Sequence, residues 1–205
     1  TSAAAAGGVT TVFEMPVSRP ATSTVELLEQ RAEVMEKEAV VDVAFYGAAG
    51  YDNLADIAPL AKAGVVGFKT FSQKAVPGRE NEFHGLTAPD SGTLYRVCEE
   101  VAATGKILAI HAESDPLIDL VQSDPRYRKY LCVPYYARPP IVELDAIARD
   151  ALIHVYPFGA ITAGERGQAL SDMEGMAADV CAFSDDGRGV QDAGLMREAM
   201  QRAKA

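Results

Sequence analysis

The sequence predicts an α/β protein built as a (β/α) barrel. Short β-branched runs alternate with helical patterns along the chain, the signature of parallel strands joined by right-handed crossovers. Two residues with chemistry to offer, Lys69 and His111, fall at the C-terminal ends of two successive strands. That edge is where such barrels assemble their sites.

The elements follow in order. GGVTTVFEMP (7–16) reads as a strand, and STVELLEQRAEVMEKEA (23–39) as a helix with Ser23 or Thr24 near its N-cap and Glu26 in the first turn. VVDVAFYG (40–47) is a strand, DNLADIAPLAKAG (52–64) a helix ending at a glycine, and VVGFKTF (65–71) the next strand. DSGTLYRVCEEVAATG (90–105) is a helix and KILAIHAE (106–113) a strand. Between Phe71 and Asp90, SQKAVPGRENEFHGLTAP forms a long polar loop at the ligand-binding edge. The Pro-rich stretch from 123 is a loop, and PPIVELDAIARDA starts a helix with proline in its first turn. LIHVYPFGAIT (152–162) and DVCAFSDDG (179–187) read as two more strands, and DAGLMREAMQRAKA (192–205) as a closing helix.

Bulk properties narrow the function. A chain of 205 residues with 48% hydrophobic content can bury one sizeable core or two small ones. Its net charge of −10, with no basic run, argues against a duplex-binding surface, so no nucleic-acid partner is expected. Cys98, Cys132 and Cys181 show no CxxC spacing, which argues against a disulfide framework or zinc knuckle and for a reducing, cytoplasmic setting. No apolar run approaches the roughly 20 residues of a membrane span, and the start lacks the basic region of a signal peptide. That start has no initiator Met and reads as the tail of a helix, which predicts a piece of a larger protein.

The two halves echo each other. VVDVAFYGAAG lies beside LIHVYPFGAIT, and AGVVGFKTF beside AADVCAFSDDG, as expected of either a duplication or two similar units of one barrel.

In VVGFKTF, alternation puts Val65, Gly67, Lys69 and Phe71 on one face and Val66, Phe68 and Thr70 on the other. A strand-end lysine can be a Schiff-base nucleophile, or can react with carbon dioxide to give a carbamate whose two oxygens bridge divalent metals. It can also simply snorkel to solvent. His111 fits a metal ligand beside a carbamate or a hydrogen-bonded core histidine.

AAAAGGVTTVFEMPVSRPAT, DNLADIAPLAKAGVVGFKTF, ILAIHAES and ARPPIVELDAIAR resemble successive signatures of the cyclic amidohydrolases, namely allantoinase, dihydropyrimidinase (hydantoinase) and dihydroorotase. The likeness covers residues 1–149 as an allantoinase-like module. Residues 153–205 resemble dihydroorotase, in a block that in that family precedes the "iHaE" strand, so the order is not the family's. The resemblance implies a single barrel-like domain of amidohydrolase type, partial or rearranged, with a seam near 150–153.

It further implies a metal-dependent hydrolase that opens a cyclic amide or ureide ring by attack of metal-activated water. Lys69 is similar to the family's carbamylated lysine and His111 to its metal-binding histidine, with two divalent ions, zinc foremost, in a complete site. Asp185 and Asp186 fall where Lys69 falls in the first module; either could be an oxygen ligand, or DDGR could be a turn. The family's His-x-His pair, its later histidine and its catalytic aspartate have no clear counterparts, so no catalytic base is assigned.

Other resembling positions carry less. His154 lies in the dihydroorotase-like block, where the histidine is not a ligand. His84 fits a solvated loop better than a lid. Val17 beside Ser18 stands where dihydroorotases carry a substrate-binding Asn, and Arg138 to Glu143 shape a loop and start a helix. The alternative to an enzyme is a noncatalytic fragment, chimera or structural barrel subunit with an incomplete site. A partial barrel leaves open strand edges, which predicts a homo-oligomer.

Overall fold

The computed structural model describes residues 1–124, 158–178, 180–185 and 189–204. They fall in two compact units, Thr1–Asp150 and Ala151–Ala205. The predicted helix from 139 onward, Cys132, His154 and Asp186 lie outside the described residues.

The first unit runs α1 (Ser2–Ala6), β1 (Thr11–Glu14), α2 (Val25–Glu38), β2 (Asp42–Ala48), α3 (Leu54–Ala63), β3 (Gly67–Phe71), α4 (Glu80–Phe83), α5 (Ser91–Thr104), β4 (Ile107–His111) and α6 (Asp115–Ser123). Its four strands are all parallel and lie in the order β1-β2-β3-β4. Because every crossover steps the same way, right-handed connections leave the helices on one face, as in a barrel wall and unlike a doubly wound sheet.

Local chemistry sets the boundaries. Thr24 caps α2 by accepting from the Leu27 amide, and Asp90 and Thr93 form a reciprocal capping box at the start of α5. Gly64 and Gly105 end α3 and α5 in the left-handed region, at φ 106° and 70°. β1 is shorter than the sequence suggests because Gly7 and Gly8 close α1, donating to Ala3, Ala4 and Ala5 carbonyls. β3 begins only at Gly67. Val65 therefore does not share the Lys69 face. It is fully buried with Phe68 in the helix-side core, while Val66 is exposed.

That core joins Leu28 of α2, Ile57 and Leu60 of α3, Phe68 of β3, and Leu94, Val97 and Val101 of α5. The opposite face of the sheet carries Tyr46, Lys69, Phe71, Ala109 and His111 by register. There Phe13 is 59% and Ile107 63% exposed, so this face is open among the described residues.

The second unit holds β5 (Phe158–Gly159), a 3-10 turn (Ala163–Glu165), α7 (Met173–Met176), β6 (Ala182–Phe183) and α8 (Ala193–Lys204). β5 and β6 are parallel, with Gly159 opposite Phe183. This repeats β2 and β3, where Gly47 lies opposite Phe68. In both pairs the phenylalanine ring covers the glycine, and a Cβ added there would lie 3.0 Å from Phe68 or 2.9 Å from Phe183. The echo seen in the sequence thus extends to register and packing. By that register the counterpart of Lys69 is Ser184, one residue before Asp185.

Candidate active-site edge

Lys69 and His111 come together at the C-terminal edge of the first sheet. Phe71 pairs in register with His111, and their rings lie 5.0 Å apart at 44°. The Lys69 ammonium sits 5.0 Å from the centre of the same Phe71 ring. Phe83 of α4 packs edge-on against Phe71 at 5.1 Å. One aromatic ring is therefore flanked by the lysine, the histidine and a ring from the polar loop.

Glu113, two residues beyond His111, is 3% exposed and places a carboxylate oxygen 3.5 Å from His111 Nε2. In the sequence this glutamate is the last residue of the predicted strand 106–113, with no role assigned to it. The available signal was its i, i+2 spacing from His111, which in extended backbone sets both side chains on one side.

The long loop after β3 is ordered against its neighbours. The Phe71 amide donates to the Leu86 carbonyl at 2.8 Å, and the Ala88 amide returns to the Phe71 carbonyl at 2.8 Å. The Tyr51 amide donates to the Thr87 carbonyl at 2.9 Å. Gly50 makes this approach possible: a Cβ there would meet the backbone of Gly85, Leu86 and Thr87 at 2.6–2.8 Å.

Asn53, 3% exposed, knits three segments together. It accepts from the Gly50 amide at 2.8 Å and donates to the Ser23 and Ala48 carbonyls at 3.1 Å each. Asp52 holds His84 Nδ1 at 2.9 Å and the Gly85 amide at 3.0 Å, so His84, whose side chain is 59% exposed, tethers the loop.

Glu82 is buried and accepts from both Arg79 and Arg19. Hydrogen bonding from Arg79 foremost, with Arg19 adding to it against the opposing effect of burial, holds its carboxyl below the usual glutamate range.

Asp185 lies in the second unit and is engaged twice by Thr162, whose amide donates to Oδ1 at 2.9 Å and whose hydroxyl donates to Oδ2. Thr162 is fully buried and also accepts from the Gly167 amide at 2.9 Å. Asp185 thus ties the segment after β5 to the end of β6.

As a donor set, Lys69 and His111 fit part of a divalent-metal site: an imidazole and, once carbamylated, a carboxylate-like group on adjacent strands. Among the described residues no three His, Cys, Asp or Glu side chains form a cluster able to hold a metal ion. No helix of the described residues is long and apolar enough to cross a membrane.

A consecutive parallel sheet with Lys69 and His111 at its C-terminal edge is the scaffold of a β/α barrel, and the comparisons agree with that fold. A dihydro-orotase-like family model matches residues 140–205. An allantoinase of Bacillus velezensis is 38% identical over 148 residues, covering 71% of this chain and 31% of its own. A dihydroorotase of Fusobacterium nucleatum is 55% identical over 58 residues, 28% of this chain and 14% of its own. The solved L-hydantoinase of Arthrobacter aurescens superposes with TM-score 0.64 at 31% identity, covering 72% of this chain and 32% of that one. The chain belongs to the cyclic amidohydrolases, and its fold is part of a barrel of their type. It spans about a third of the length of the allantoinase and the L-hydantoinase.

Proposed function

We infer that the chain is part of a metal-dependent hydrolase opening a cyclic amide or ureide ring of the allantoin, hydantoin or dihydroorotate type. The observation that supports this most is that Lys69 and His111 both lie against Phe71, on adjacent parallel strands at the site-bearing edge. The names of its relatives supply the substrate class.

In this assignment Lys69, as its carbamate, and His111 hold divalent metal, with zinc the favoured ion, while Asp185, the oxygen ligand expected from the sequence, lies in the second unit and is taken up by Thr162. Bound divalent ions would supply Lewis acidity, polarising the ring carbonyl and lowering the pKa of water. Glu113 steadies the His111 ring from Nε2. Phe71 and Phe83 give the edge an apolar floor beneath the lysine. The loop held by Asp52 and by the Arg19–Glu82 pair provides a fixed wall.

We place the protein in the cytoplasm, on the wide separation of Cys98, Cys132 and Cys181 with no CxxC spacing, and take it to act on a small molecule as a homo-oligomer. Residues 1–149 and 153–205 are then the allantoinase-like and dihydroorotase-like modules of a single barrel-like domain.

The test is turnover. With zinc and bicarbonate, the chain should release a ureido or carbamoyl acid from at least one of the three ring classes, and Lys69→Ala should abolish it. Zinc binding without turnover on any ring would instead support the noncatalytic scaffold, favoured by the absence of a three-ligand cluster among the described residues.

A further inference from the structure

The ladder between β3 and β4 continues past both strands through one side chain. The Ser72 amide donates to the His111 carbonyl at 3.0 Å. Its hydroxyl then meets three backbone groups on the chain leaving β4. It accepts from the Glu113 amide at 2.8 Å, and its single proton is directed to the Glu113 carbonyl at 2.9 Å and more loosely to that of His111 at 3.3 Å. Two residues on, the Lys74 amide donates to Asp115 at 2.7 Å, a second tie between the same two segments.

These bonds fix residues 111–113 beside the end of β3 where the sheet itself has stopped. His111 and Glu113 both leave from the clamped stretch, and Lys69 lies three residues before Ser72 on the opposing strand. The ladder sets His111 against Phe71, and the placing of the Glu113 carboxylate beside the imidazole then depends on a hydroxyl that touches neither side chain.

We propose that Ser72 is a positioning residue that sets the Glu113 carboxylate beside the His111 imidazole, an inference that rests on the metal-site assignment above. A carboxylate paired with a ligand, as Glu113 is with His111, typically governs metal affinity by 10–100-fold, and Ser72 acts on that group through its backbone. A merely structural serine would change the stability of the metal-free chain and leave affinity intact once folded.

The test compares Ser72→Thr with Ser72→Val, which match in shape and differ in the hydroxyl, in the full chain with bicarbonate. Zinc affinity is read by competition with a chromophoric chelator, and ligand geometry by the visible spectrum of the cobalt form. The threonine variant should bind zinc like the wild type, and the valine variant about 10–100-fold more weakly with an altered cobalt spectrum. Equal affinities and spectra in the two overturn the role of Ser72 alone. Wild-type affinity no greater than that of His111→Ala overturns the metal-site assignment, and the role of Ser72 with it. Should the valine variant not fold, exchange of the Glu113 amide decides: slow in the wild type and fast in Ser72→Ala is expected, and equal protection in both contradicts the clamp.

Discussion

Lys69 holds its ammonium over the face of Phe71, a contact typically worth about 0.5–1 kcal/mol where solvent has access. A carbamate would reverse that charge against the negative face of the ring, so modification without metal is opposed. Native mass spectrometry should accordingly find the added carbon dioxide only when zinc and bicarbonate are both present. Asn53 is a second residue whose environment fixes its effect. Asn53→Ala strands the Gly50 amide and two carbonyls and should lower unfolding stability by roughly 1–3 kcal/mol in a denaturant titration. Strand alternation made Lys69 and His111 legible in the sequence, because both sit inside regular extended backbone. Asn53 and Glu82 were not, since their partners lie up to 63 residues away and no periodicity encodes such contacts.

The loop between β3 and α5 is the element on which the edge depends. Its clearance at Gly50 is too small for a methyl group, so Gly50→Ala should push residues 85–87 outward and raise exchange at the Tyr51 amide. Its acid response follows from Glu82, whose folded-state pKa is depressed, chiefly by Arg79. A depressed carboxylate stabilises above its ordinary value of about 4.3 and loses that contribution as pH falls through the folded-state value. Melting temperature should fall more steeply on acidification in the wild type than in Glu82→Gln. Helix spans were readable from caps and C-terminal glycines, whereas α4 escaped notice because a four-residue turn in a polar stretch carries no amphipathic period. The shortened β3 reflects tertiary packing: Val65 turns into the helix-side core instead of continuing the alternation.

At the scale of the molecule, consecutive strand order and the matching Gly–Phe registers of β2–β3 and β5–β6 are the two features that make the chain barrel-like. Among the described residues β1 and β4 are the edges of the first unit's sheet, and Phe13 and Ile107 are exposed on the face opposite the helices. Such surfaces favour pairing with another chain, and sedimentation velocity should show a concentration-dependent oligomer; a monomer at all concentrations would count against it. The repeat was legible as sequence similarity, but only the register distinguishes Ser184 from Asp185 as the counterpart of Lys69. The most direct measurement is zinc-edge anomalous diffraction from crystals of the full chain grown with zinc and bicarbonate. A peak about 2.0–2.2 Å from a His111 ring nitrogen and from a carbamate oxygen on Lys69 is expected. An unmodified Lys69 still resting on Phe71, with no peak beside His111, would contradict the metal-site assignment.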